Sequence, residues 1–185
     1  MSVLSTILST VQAEFSDLAD VERTTRVVWR LGEALLLGAL IGWDRERRDA
    51  DAGLRTHMLV SLGAALFVLV PAEAGMGSDA LSRVVQGIVS GIGFLGAGAV
   101  LKMGNEGRIH GLTTAATIWA TAAVGMSAGL GREGTALLAT AFILLVLIGL
   151  RRLEVRKAHK ASRLIALPKV GTDDAIDTGR RVDRY

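Results

Sequence analysis

Three long stretches without a single charged residue dominate this chain: 18 residues from Val84 to Leu101, 21 from Gly111 to Gly131, and 17 from Gly134 to Leu150. At 1.5 Å per residue, each is about long enough to cross ~30 Å of hydrocarbon as a helix. Two further apolar stretches, 27–43 and 57–74, complete a set of five expected spans, with the others at 81–101, 111–130 and 134–150. The first is the most compromised, since it carries Arg30 and Glu33 within one helical turn. Those two can pair with each other or turn to the bundle interior, away from lipid.

Composition agrees with lipid as the solvent. Half of the 185 residues are apolar, only 4% are aromatic, and 22 are glycine. A water-soluble core would lack its large anchors, whereas small residues let helices approach closely in a bilayer. The fold class expected is therefore all-α, an integral membrane bundle of five transmembrane helices. The absence of cysteine excludes a disulfide framework, thiolate catalysis and Cys-ligated metals.

Residues 1–26 read as a lead-in, either an interfacial helix or a frayed segment, because they lack the basic start of a secretory signal. Residues 27–150 form the membrane domain, and 151–185 a basic tail expected to be poorly ordered. Of 21 Lys and Arg, 16 fall in three places: 44–55, 102–110 and the residues after 150. Basic segments stay in the cytoplasm, which puts the N-terminus outside and the C-terminus inside. The tail opens "RRLEVRKAHKASR", basic enough to lie on an anionic leaflet, and no aromatic residues interleave as nucleic-acid stacking platforms would. The bilayer is thus the expected partner, and nucleic acid is not.

Several motifs carry candidate function. "QGIVSGIGFLGAGA" includes Gln86, Gly87, Gly91, Gly93, Gly96 and Gly98. It contains a dinucleotide-type G-x-G-x-x-G without the preceding strand or the later acid that such a site needs. Its glycines suit close helix packing, or else local unwinding that would offer carbonyls to a cation. Ala34, Gly38 and Gly42 repeat the small-residue spacing, as do Gly125 and Gly129; Gly38/Gly42, Gly87/Gly91 and Gly125/Gly129 are each a candidate contact for a homo-oligomer, and such smooth faces also suit a membrane-protein partner. Thr113, Thr117 and Thr121 align at i, i+4, i+8 as a hydroxyl ridge, either helix-to-helix glue or the lining of a wet path.

The segment "GWDRERRDADAGLRTH" interleaves Asp44, Glu46, Asp49 and Asp51 with Arg45, Arg47, Arg48 and Arg55. It is either a mutually paired loop that fixes topology or a carboxylate patch able to hold Mg²⁺ through its water shell. Asp44, at the membrane edge, is the best candidate metal ligand, and Glu33, eleven residues earlier on nearly the same face, the second. No phosphate loop, nucleophile elbow or metal-spaced histidine pair is present, so no enzyme is expected.

Taken together, "GALIGWDRERR", "AGLRTHMLVSLGAALF", "VVQGIVSGIGFLGAGAVLK" and "GLTTAATIWATAAVGMSAGLG" resemble the MgtC/SapB family of bacterial inner-membrane proteins over about residues 30–150. The resemblance implies a five-span domain of the inner membrane linked to growth in low magnesium. The family's G-L-E-R-E signature falls on Gly42, Trp43, Asp44, Arg45 and Glu46, its R-T pair on Arg55 and Thr56, and its glycine run on Gly91–Gly98. Trp43 departs from the usual Leu, and Asp44 is one methylene shorter than the usual Glu. Thr113 and Ala120 stand where the virulence-associated branch commonly has Asn and Cys, and the tail is shorter than that branch's cytoplasmic domain. The form expected is therefore the simpler, SapB-like one.

Overall fold

The computed structural model describes residues 3–14, 20–101 and 111–165, with side chains up to Val100 and from Gly111 to Leu150. Among the described residues it is all helix: α1 (Val3–Glu14), α2 (Val21–Glu46), α3 (Leu54–Glu73), α4 (Ser78–Leu101), α5 (Leu112–Gly129) and α6 (Glu133–Ile165). Residues 102–110, with the basic Lys102 and Arg108, and the tail beyond 165 lie outside the described residues. The first part of the expected tail, 151–165, is helical. The chain divides into a unit up to Ile148 and a second from Gly149 onward.

Helix ends follow from local chemistry. Asp20 caps α2, its Oδ1 accepting from the backbone N–H of Glu22 (3.0 Å) and Arg23 (3.4 Å). α3 and α5 both stop at a left-handed glycine, Gly75 and Gly131, where the N–H of Met76 bonds Pro71 O and that of Arg132 bonds Ser127 O. These bonds satisfy carbonyls that each helix end leaves open.

Three helices are long and apolar enough to cross a membrane: Leu54–Glu73, Ser78–Val100 and Glu133–Leu150. α5 is uncharged too, but Thr113, Thr114, Thr117 and Thr121 dilute its hydropathy. It is also the helix with the most buried face, so protein, more than lipid, surrounds it. α2 carries Arg23, Arg26, Arg30 and Glu33 in its first half.

The packing order explains those differences. α3 and α5 form the centre, with α2 on both of them and α4 on α5 and, more lightly, on α3. A Cβ on Gly38 would strike His57 O at 2.7 Å and Ser61 Cβ at 2.8 Å, and one on Gly42 would strike Leu54 Cα at 2.7 Å. α2 therefore runs antiparallel to α3 with backbones nearly touching. On the other side of α3, a Cβ on Gly125 would meet Ser61 O and one on Gly129 would meet Ala65 O, so α5 runs parallel to α3. Each of these two central helices opens with Gly-Leu-x-Thr, at 53–56 and 111–114. Ala34, Leu37, Ile41, Ala65, Val124, Ala128 and Ala136 close the core.

Two expectations change here. Gly38, Gly42, Gly125 and Gly129 are used up inside the chain, against α3, and are not free for contacts between copies; the spacing alone cannot tell an internal partner from an external one. The glycine run of 91–98 is continuous α-helix, with no unwinding, since α4's backbone hydrogen bonds survive without any side chain to support them.

Candidate functional site

The α2–α3 connection gathers the charged motif into a fixed structure. Asp44 Oδ1 accepts from Arg48 Nη2 at 2.5 Å, one helical turn on, in a pair whose side chains are 15% and 17% exposed. Glu46 Oε2 accepts from the backbone N–H of Leu54 at 2.6 Å, which caps α3 in place of Gly53, a residue with no side chain to do so. A Cβ at Gly53 would lie 2.5 Å from that same carboxylate oxygen, so glycine there makes the cap accessible. Asp49 adopts a left-handed conformation (φ 50°) to turn the chain. Arg47 stacks over the half-exposed Trp43 ring, 5.0 Å from its centroid.

Arg45 points the other way, into the bundle. It is 9% exposed and its Nη2 donates to Thr114 Oγ1 of α5 at 3.2 Å. An arginine keeps its charge even when buried. Arg55 and Thr56, by contrast, are exposed on the first turn of α3 and are not brought to Arg45.

Beyond Arg45 the interior between α2, α3 and α5 is polar. His57 is fully buried and its Nδ1 faces Gly53 O at 2.9 Å; Ser61, one turn on, is fully buried as well. The buried threonines of α5 are Thr114, Thr117 and Thr121, while Thr113 is exposed, so the ridge expected at i, i+4, i+8 is instead at i, i+3, i+7. At 100° per residue either spacing returns to one face, and contact with Arg45 decides between them. The hydroxyls of Thr117 and Thr121 donate to the carbonyls of Thr114 (2.9 Å) and Thr117 (2.8 Å) in their own helix, so their protons form no bond between helices.

The opposite end of the bundle holds a second charged group. Arg23 Nε meets Glu73 Oε2 at 3.1 Å, and Arg30 Nη1 lies 3.6 Å from Glu73 Oε1 and 3.5 Å from Gly129 O. Arg30 is thereby taken by α3 and the carboxyl end of α5, not by Glu33, because the last turn of α3 presents a carboxylate at its level. Glu33 instead lines a groove of about 560 Å³ with Trp29, Leu37 and Glu133, and its Oε2 is buried without a hydrogen-bond partner.

α4 stands apart. Gln86, Gly87, Gly91, Gly93 and Gly98 are exposed, and a Cβ on any of those four glycines would meet nothing within 4 Å; on Gly96 it would touch only Ala115 Cβ, at 3.5 Å. Gly87 and Gly91 floor an apolar groove of about 580 Å³ walled by α3 through Leu59, Gly63 and Phe67. Gly93 and Gly96 floor another of about 460 Å³ beside Trp119.

Residues 31–156 match the family described as the MgtC family. The chain belongs to the MgtC family. Among MgtC family relatives, Protein SrpB of Synechococcus elongatus is 48% identical across 68% of this chain and 75% of its own length. Protein MgtC of Brucella abortus is 49% identical across 80% of this chain and 61% of its own. Protein MgtC of Salmonella typhimurium is 47% identical across 66% of this chain and 52% of its own, so this chain spans about half of that relative. No solved structure matches.

For an MgtC family protein the question of Mg²⁺ arises, and the acidic residues at the α2–α3 connection do not fit a resident ion. Arg48 holds Asp44 Oδ1 and leaves Oδ2 buried without a partner, Glu46 caps α3, and among the described residues no three His, Cys, Asp or Glu side chains converge on one point. A cage needs several oxygens free to turn inward. The sequence reading did not single out His57, Ser61, Thr114 or Glu73. His57 was the one detectable signal, a titratable residue inside an apolar span; the others depend on which helix lies opposite.

Proposed function

We propose that this MgtC family protein supports magnesium homeostasis by contacting another membrane complex, and that α4 is the contact helix. The supporting observation is the division of labour among the glycines. Gly38 and Gly42 of α2 and Gly125 and Gly129 of α5 are spent on α3, whereas Gly87, Gly91, Gly93 and Gly98 present a smooth, grooved face with nothing against it. Helices associate in lipid through such close-approach surfaces, because apolar side chains gain nothing by leaving lipid tails. In this reading α2 to α6 all cross a bacterial inner membrane, the N-terminus lies outside and the C-terminus in the cytoplasm, and the protein is not an enzyme. The same α4 face serves any homo-oligomer, which a self-associating scaffold would also require.

A second reading, ion movement through the bundle, draws support from the unpartnered buried oxygen of Glu33. Two measurements separate the readings. A deletion strain is expected to grow poorly in magnesium-depleted medium and to be rescued by the wild-type chain but not by Gly87→Leu or Gly91→Leu, which block the groove while leaving the core untouched. Growth equal to the parent removes the magnesium role altogether. In liposomes, Mg²⁺ or proton flux lost in Glu33→Gln or Asp44→Asn would favour transport, and no flux of either ion favours contact.

A further inference from the structure

The groove between α2 and the start of α6 holds two carboxylates and no basic side chain to balance them. Glu33 of α2 and Glu133, the first residue of α6, both line it and repel each other. No lysine or arginine is among the lining residues. The neighbouring arginines are engaged elsewhere, Arg26 with Glu22 and Arg30 with Glu73 and Gly129 O, while Arg132 is exposed and does not line the groove. Among the described residues neither Glu33 nor Glu133 forms an ion pair, and Glu33 Oε2 is buried without a hydrogen-bond partner. Carboxylates in a membrane bundle pair with a cation, so the missing component is a positive charge from outside the chain.

The walls of the groove narrow the choice of cation. It follows α2 from Thr24 to Leu37, about 20 Å at 1.5 Å per residue. Thr24 and Thr25 stand at one end, and Leu36, Leu37 and Leu137 line the other, so polarity falls along its length. Val28, Trp29, Leu36 and Leu137 are each more than half exposed, and for this membrane protein the medium at an exposed apolar wall is lipid. The depth fits a headgroup. Arg30, one turn from Glu33, reaches the carbonyl of Gly129 that ends α5, and Gly131 lies against its guanidinium, so the two acids sit where α5 gives way to α6, at the edge of the bilayer. Two carboxylates are too few for a metal cage, and a metal ion has no use for an apolar wall.

We propose that this groove binds an ethanolamine phospholipid, its ammonium between Glu33 and Glu133 and an acyl chain along Leu36 and Leu137. A primary ammonium carries three N–H donors, enough to serve both carboxylates with charge-assisted bonds. A choline headgroup bears the same charge without an N–H, and a glycerol headgroup bears no positive charge. Trp29, on the same wall, offers a ring face that attracts an ammonium. The site gives Glu33 a resident partner and stands whether or not α4 is the contact helix.

The test is native mass spectrometry of the full chain, released from detergent micelles that hold equal amounts of phosphatidylethanolamine, phosphatidylcholine and phosphatidylglycerol with identical acyl chains. The wild-type protein is expected to retain phosphatidylethanolamine several-fold over either of the others. Glu33→Gln and Glu133→Gln are each expected to remove that preference, whereas Asp79→Asn, at an exposed acid outside the groove, keeps it. Retention of phosphatidylcholine or phosphatidylglycerol to the same extent as phosphatidylethanolamine overturns the proposal, and that result is read on the wild-type chain without relying on any variant to fold. A preference that survives Glu33→Gln combined with Glu133→Gln also overturns it, as does binding of glycerophosphoethanolamine, the headgroup without chains, as strong as that of the intact lipid.

Discussion

Arg45 of α2 and Thr114 of α5 are joined by a buried hydrogen bond of 3.2 Å across 69 residues of sequence. That contact fixes which face of α5 turns inward and seats Arg45, in the last turn of α2, inside the bundle. Removing the acceptor strands a charge: Thr114→Val is expected to lower stability in detergent by about 1–3 kcal/mol. Thr113→Val, next to it but exposed, is expected to be nearly neutral. Unfolding titrations of the two variants check this, and equal effects would disprove the assigned face.

Gly125 faces the backbone of Ser61 with no room for a methyl group, whereas Gly91 faces open space. Gly125→Ala is therefore expected to cost about 1–3 kcal/mol through overpacking against a carbonyl that cannot rotate away. Gly91→Ala is expected to stabilise α4 by up to about 1 kcal/mol, since alanine is the better helix former. Opposite signs in thermal unfolding of the purified variants are the expected result.

Glu73 holds Arg23 and Arg30 together at the far end of the bundle, at side-chain exposures of 16%, 40% and 18%. Glu73→Gln keeps the shape and removes the charge, and the partly buried Arg30 loses its carboxylate. A destabilisation of about 1–3 kcal/mol is expected, smaller than for a fully buried pair because water reaches Arg23. Arg30→Gln in the Glu73→Gln background is expected to add less than it does alone, which a double-mutant cycle measures.

Because the chain has no cysteine, single cysteines report sidedness directly. Arg55→Cys, exposed at the start of α3, is expected to react with a membrane-impermeant thiol reagent only after the inner face is opened, and the exposed Arg132→Cys in intact cells. The reverse pattern would invert the proposed orientation and leave the packing unaffected.

The uncharged runs, the small-residue spacings and the signature around Asp44 were enough to read an all-helical membrane protein and its family, because helix length and hydropathy are properties of consecutive residues. Sequence also located the charged connection, though not what each residue there does: Asp44 is tied to Arg48, Glu46 caps a neighbouring helix, and Arg45, on the last turn of α2, points into the bundle. Those roles depend on what lies opposite in space. Gly38 and Gly91 look alike in the chain, yet one bears on α3 and the other on nothing; Arg30 has Glu33 a turn away, yet meets Glu73. A helical period places residues on a face, and only the packing of one helix on another decides what that face meets.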